Sequence, residues 1–231
     1  MPLPRPTVLL FDIDGTLVST PGAGRRALDA AFKALHGRDE ACKGIRFDGM
    51  TDGLIARLGL GGLGVEVTEA RIQAVLDLYI PLLAAELDAC GARGCTVHVG
   101  VVQALDAARR AGAALGVGTG NIEAGARLKL QHAGLLHYFD FGGYGCDSSD
   151  RPTLIRCGAE RGAARLGAKL EDCRVVVIGD TPKDVHAARE VGAECLGVGT
   201  GSFSPEELLS AGAHCAFPNL AAPGALDALL C

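Results

Sequence analysis

The stretch Val8-Leu9-Leu10-Phe11-Asp12-Ile13-Asp14-Gly15-Thr16-Leu17 constrains the chain most, because an apolar run stops abruptly at two acids and a glycine. A short apolar segment closed by turn residues reads as a buried strand whose C-terminal end opens into a loop. In a parallel sheet that edge is where ligands bind. Asp12 and Asp14 are two residues apart, so on an extended backbone both side chains leave on the same side. Gly15 then lets the backbone turn sharply or approach a ligand closely. Two carboxylates delivered side by side repel, and the repulsion must be relieved by a cation or a shared proton.

After Leu17 the pattern becomes helical. Pro21-Gly22-Ala23-Gly24 is a loop, and residues 25–35 carry Leu28, Ala31, Phe32 and Leu35 at helical spacing before Gly37. The loop Arg46-Phe47-Asp48-Gly49-Met50-Thr51-Asp52-Gly53 precedes a short helix over 54–60. Thr68 caps a longer helix with Ile72, Val75, Leu76, Tyr79, Leu82 and Leu83 on one apolar face up to about residue 87. No strand signal interrupts this region, so residues 18–90 are expected to form an all-helical cap domain, closed by the glycine-punctuated Cys90-Gly91-Ala92-Arg93-Gly94.

From Gly100 onward strand and helix alternate. Helices are expected through Val102, Leu105 and Ala108 to Gly112, over 122–133 with Gly134 as stop, from a Ser149 or Asp150 cap to about 166, up to Val191, and over 205–211. Strands are expected at 114–118, around 139–142, at 174–178, at 195–198 and, as the last element, at 214–217. This alternation predicts an α/β fold with a Rossmann-like parallel sheet covered on both faces. The α/β core would comprise residues 1–17 and 91–231, interrupted after its first strand by the helical cap.

Charge and cysteine usage narrow the partners. A net charge of -5 and a pI near 5.7 show no basic excess, so nucleic acid is disfavoured. Aromatics are only 4% and tryptophan is absent, so the core must be aliphatic. The 9 cysteines are odd in number with no CxxC pair, which fits reduced thiols used as small hydrophobes rather than a disulfide framework or a zinc site. The proline-rich N-terminus resembles neither a signal peptide nor a transit sequence, and no apolar stretch approaches membrane-spanning length. A cytoplasmic protein without membrane partners, monomeric or homodimeric, is expected. The six histidines (His36, His98, His132, His137, His186, His214) are dispersed and suggest no metal site.

Three strands end in polar, glycine-flanked tips: Asp12-Ile13-Asp14-Gly15-Thr16, Thr119-Gly120-Asn121, and Gly179-Asp180 through Asp184. In a doubly wound sheet such tips share one edge. Carboxylate oxygens are the hard ligands that magnesium prefers. Thr119, with the amides of Gly120 and Asn121 opening a helix, offers donors to an anion. Magnesium, an anion cradle and a carboxylate nucleophile together suggest phosphoryl transfer.

These tips resemble the motifs of the haloacid dehalogenase superfamily of phosphatases: Asp12-Ile13-Asp14-Gly15-Thr16-Leu17 the first, Thr119-Gly120-Asn121 the second, Gly179-Asp180-Thr181-Pro182-Lys183-Asp184 the fourth. The resemblance spans essentially the full chain and includes a helical cap between the first and second motifs, as in phosphoglycolate phosphatases. The third motif departs from the pattern: where the family places a lysine, this chain offers Ser148-Ser149-Asp150-Arg151-Pro152. Arg151 can hold a phosphate bidentately, and Lys183 is a rival for that charge.

The resemblance implies that Asp12 attacks phosphorus to give an aspartyl-phosphate. It implies that Asp14, with a raised pKa, protonates the leaving alkoxide and later deprotonates water. A Mg2+ ion would be held by Asp12, the Asp14 main-chain carbonyl and Asp180, with Asp184 arranging a metal-bound water or the basic residue. Thr119 and Arg151 would stabilise the transferring group. An acid at Asp14 favours phosphatase over dehalogenase. Thr51 and Asp52, within Gly49-Met50-Thr51-Asp52-Gly53, would contact substrate from a closing lid, or simply cap the next helix. The expected substrate is a small phosphomonoester, with phosphoglycolate a family-level expectation. A phosphomutase of the beta-phosphoglucomutase type and a non-catalytic phosphate-binding module stand as alternatives.

Overall fold

The computed structural model describes residues 3–90 and 95–231, so the expected glycine-rich closure of the helical stretch at 91–94 lies outside the described residues. In chain order the elements are β1 (Thr7–Phe11), β2 (Val18–Ser19), α1 (Ala23–His36), α2 (Asp52–Gly62), α3 (Glu69–Cys90), β3 (Thr96–Val97), α4 (Val101–Ala111), β4 (Ala114–Gly118), α5 (Glu123–His132), β5 (Gly142–Gly143), α6 (Arg151–Arg165), β6 (Arg174–Gly179), α7 (Pro182–Glu190), β7 (Glu194–Val198), α8 (Pro205–Ser210), β8 (Cys215–Phe217) and α9 (Ala225–Leu230).

The strands from β1 and β4 to β8 pair in parallel in the order β5-β4-β1-β6-β7-β8. β1 is completely buried, as an apolar strand must be when helices cover both faces of a parallel sheet. Its residues alternate between two cores. Leu9 and Phe11 join Val117, Val176 and Ile178 against Val101, Leu105 and Leu130 on one face. Val8 and Leu10 join Val177 against Leu154, Ile155, Val185 and Ala188 on the other. The chain leaves β1 for β4 on one side and returns to β6 on the other, so the crevice beyond the C-terminal ends of β1 and its neighbours is the ligand-binding position of such a sheet.

α1, α2 and α3 enclose an apolar cluster of their own, including Leu28, Phe32, Ile55, Leu60, Val75 and Leu83. The glycine stops act as expected: Gly37 ends α1 and Gly112 ends α4, both left-handed, with φ of 67° and 86°. Residues 18–19, expected inside the all-helical stretch, instead form β2, which pairs antiparallel with β3. Two residues per strand are too few for a period to show in sequence. β5 lies at 142–143 rather than around 139–142, and β8 is followed by α9 rather than ending the fold. Among the described residues no helix is long and apolar enough to cross a membrane, and Cys42, Cys146, Cys157, Cys173, Cys195, Cys215 and Cys231 are free thiols.

Candidate active site

At the end of β1 the Asp12 amide donates to the Ile178 carbonyl at 2.8 Å, which carries the sheet register into the loop. The chain then folds back, with the amides of Leu17 and Val18 donating to the Ile13 carbonyl at 3.0 Å each. Gly15 has φ 81°, and a Cβ there would collide with the Asp180 carboxylate. Gly201 crowds the same carboxylate from the other side. Thr16 Oγ1 donates to Asp180 Oδ1 at 3.0 Å. Asp12, Asp180 and Asp184 are all buried, and one oxygen from each lies within 4.8 Å of the others.

Arg151 is drawn into this acidic cluster. Asp150 caps α6 by accepting from the Thr153 amide at 3.1 Å, which sets Arg151 as the first helical residue. Its Nη2 lies 2.9 Å from Asp12 Oδ2 and donates to Asp184 Oδ1 at 2.5 Å, while Nε donates to that same Asp184 oxygen at 3.0 Å. Asp184 Oδ2 accepts from the Thr181 amide and hydroxyl at 3.1 and 2.7 Å, in the capping box that opens α7. Both Asp184 oxygens are thereby engaged. Lys183 instead donates to the Asp48 carbonyl at 2.8 Å and forms no ion pair with Asp12 or Asp184.

The Asp14 carboxylate turns away from the cluster. Asp14 Oδ2 accepts from Lys129 Nζ at 2.6 Å and Asn121 Nδ2 at 2.9 Å, and Oδ1 accepts from Thr20 Oγ1 at 3.1 Å. Lys129 also donates to Asn121 Oδ1 at 2.7 Å and is almost wholly buried. Sequence reading did not single out Lys129. The available signal was its place on the buried stripe of α5 with Gly125, Ala126 and Leu130, where a lysine needs an anionic partner.

Burial pushes the Asp12 carboxyl up to about 6 although Arg151 opposes it. Burial, reinforced by Asp184 and Asp12, holds Asp180 well above the carboxylate range. Asp14 goes the other way: burial would raise it, but Lys129, Asn121 and Thr20 outweigh burial and hold it below its ordinary value. This reverses the expectation of a raised Asp14. Lys129 is raised, with Asp14 and Asp52 outweighing the cost of burial.

The second strand tip differs in detail from the expected cradle. α5 starts at Glu123, so Gly120 and Asn121 precede the helix rather than open it. The Asn121 amide and Nδ2 donate to Thr119 Oγ1 at 3.3 and 2.8 Å, and the Ile122 amide donates to Asp52 Oδ2 at 2.9 Å. The Asp52 amide donates in turn to the Gly120 carbonyl at 2.9 Å. Thr51 caps α2 by accepting from the Leu54 amide at 3.3 Å. The cap loop and the Thr119 tip are thus joined by two hydrogen bonds through Asp52.

A cavity of about 390 Å³ lies between the strand tips and the helical insertion, with Asp12, Asp14, Thr119, Arg151 and Asp180 on one side and Met50, Asp52, Ile55 and Tyr79 on the other. Three acids against one guanidinium leave negative charge uncompensated, and their oxygens suit a hard divalent cation.

The haloacid dehalogenase-like hydrolase family matches residues 6–192. The phosphatase-named protein IndB of Dickeya dadantii is 30% identical over 207 residues, 88% of this chain and 86% of its own length. Phosphoglycolate phosphatase of Rhodospirillum rubrum is 29% identical over 233 residues, 95% of this chain and 90% of its own. The crystal structure of CbbY from Rhodobacter sphaeroides, in complex with phosphate, shares the fold with a TM-score of 0.69 at 19% identity, covering 95% of this chain and 98% of that one.

Proposed function

We propose, because the chain belongs to the haloacid dehalogenase-like hydrolase family, that its phosphatase chemistry is Mg2+-dependent hydrolysis of a small phosphomonoester through an aspartyl-phosphate on Asp12. The observation that carries the reading is the convergence of Asp12, Asp180 and Asp184 from distant strand tips, with Arg151 bridging Asp12 and Asp184. Mg2+ would be held by Asp12, Asp180 and the Asp14 main-chain carbonyl; when bound it neutralises the acids and the charge on the transferring phosphoryl group. Asp184, with both oxygens engaged, positions Arg151.

Asp12 is the nucleophile, dividing one displacement into two easier ones. Arg151 and the Thr119 hydroxyl stabilise the phosphoryl oxygens, the guanidinium offering a planar pair of donors. Asp14 moves the protons. It hands a proton to the departing alkoxide in the first half and takes one from water in the second, so the cycle closes; Lys129, 2.6 Å away, positions it and favours its proton-accepting, ionised form. The helical unit of α1, α2 and α3 acts as a lid on the sheet domain, and excludes bulk water while the phosphoryl group is exposed.

The test is phosphate release from p-nitrophenyl phosphate with Mg2+, with and without EDTA, for the wild type and Asp12→Asn. Turnover that stops on chelation and falls at least about 1,000-fold in Asp12→Asn supports the reading. Turnover that survives EDTA, or survives Asp12→Asn, overturns it. A requirement for a bisphosphate primer in place of phosphate release would make the chain a phosphomutase.

A further inference from the structure

Tyr79, on the long helix of the insertion, is 1% exposed and lines the cavity. No hydrogen bond joins its hydroxyl to another described residue, and that hydroxyl is not sealed off from the cavity it lines. It points toward the start of α1, where a Cβ on Gly24 would lie 3.5 Å from Tyr79 Oη and 3.9 Å from Lys129 Nζ. Asp52, also buried and also lining the cavity, uses Oδ2 on the Ile122 amide, and its Oδ1 takes no hydrogen bond from the described residues. A hydroxyl donor-acceptor and a carboxylate acceptor are therefore left over on the wall of the cavity.

We infer that Tyr79 and Asp52 form a subsite that reads a neutral hydroxyl on the leaving group, which makes phosphorylated polyols or sugars, rather than phosphorylated acids, the preferred substrates. This rests on the phosphatase reading above. Free hydrogen-bonding positions decide between the two classes. An anionic leaving group would meet the Asp14 and Asp52 carboxylates as well as Lys129 and Arg25, and both cations are already committed within the protein. Lys129 donates to Asp14 and Asn121. Both terminal nitrogens of Arg25 donate to backbone carbonyls, of Cys42 and Ile45, at 2.6 Å each, with the guanidinium laid over the Phe47 ring. A neutral hydroxyl can donate to Asp52 Oδ1 and accept from Tyr79 Oη without bringing further charge. Leu28, Met50 and Ile55 line the same cavity and suit the carbon skeleton.

The experiment measures phosphate release from matched pairs, glycerol 3-phosphate against propyl phosphate and glucitol 6-phosphate against hexyl phosphate, with 2-phosphoglycolate as the anionic comparator and p-nitrophenyl phosphate as the phosphatase control. The wild type should favour the hydroxylated member of at least one pair by about tenfold or more in kcat/KM, chiefly through KM. Tyr79→Phe and Asp52→Asn should each cut that preference about tenfold, because the variant no longer offers the substrate hydroxyl the partner it has in the wild type. Tyr79→Phe keeps the ring, and an unchanged circular dichroism spectrum verifies its fold. The inference is overturned by a wild type indifferent to the hydroxyls, by a Tyr79→Phe variant that slows both members equally, or by 2-phosphoglycolate outrunning every polyol phosphate. If p-nitrophenyl phosphate is hydrolysed in those cases, the phosphatase reading stands and only the subsite falls; if it is not, both fall.

Discussion

Two buried cations divide the acids of the site between them, and each carries a different part of the chemistry. Arg151 satisfies Asp12 and Asp184 together, which its rigid fork of donors allows and a single ammonium would do less well. Lys183, three residues from Asp180 in sequence, spends its charge on the Asp48 carbonyl. Arg151→Ala should therefore lower kcat/KM at least about 100-fold, whereas Lys183→Ala should change it less than about threefold; phosphate-release kinetics on the two variants decide the matter, and the opposite pattern would move the third-motif charge to Lys183. Lys129 holds Asp14 ionised. Lys129→Met removes the ammonium that positions Asp14 and keeps it ionised while retaining much of the volume, and should lower kcat about 100-fold with a smaller change in KM. A loss confined to KM would reduce Lys129 to a packing role. Lys129 went unread because helical spacing shows which residues share a face but not which loop that face meets. Tyr79 was legible only as one apolar residue of its helix, since nothing in the sequence places its hydroxyl on a cavity.

At the scale of elements, the site is made by strand ends and helix starts whose geometry is local. The apolar run of β1 was readable because burial on both faces leaves no polar alternation, and the acids after it mark where the sheet stops. Asp150 was readable, with Ser149, as a helix start because a side-chain acceptor precedes a proline-containing first turn, and the structure adds Thr181 and Ser204 as caps of the same kind. β2 and β3 were not readable, since strands of 2 residues carry too little pattern. The exact start of α5 was also hidden. Asp52, 70 positions away, takes the Ile122 amide at its N-terminus, so a tertiary contact completes a cap that the local sequence lacks. Gly15 tests whether the turn after β1 fixes the acidic cluster. Gly15→Ala forces a Cβ into a left-handed turn, at a cost of about 1–2 kcal/mol, and against the Asp180 carboxylate. The expected outcome is a lower melting temperature together with loss of most activity. Retained activity at a lowered melting temperature would show that Asp180 needs no such close approach.

Across the whole molecule, the helical insertion and the sheet meet through hydrogen bonds centred on one loop. Asp52 bonds Gly120 and Ile122, the Gly49 carbonyl accepts from Arg151 at 3.3 Å, and Asp48 accepts from Lys183 and from Ser202. Of these groups Asp52 is the one whose ionisation is strained: burial pushes its carboxyl up to about 6, with Lys129 and the Ile122 amide only partly opposing. A raised carboxyl binds its proton more tightly in the folded protein than in the unfolded chain. Ionisation therefore weakens the fold at neutral pH, and the weakening is relieved as pH falls through about 6 toward the ordinary value of 3.8. Asp52→Asn keeps an oxygen for the Ile122 amide but has nothing to titrate. Melting temperatures of the wild type and Asp52→Asn, measured at intervals from pH 7.5 to pH 5, should show the wild type gaining on the variant as pH falls. A difference between them that stays constant over that range, or moves in the variant's favour on acidification, would mean that Asp52 is not the strained acid joining lid to sheet.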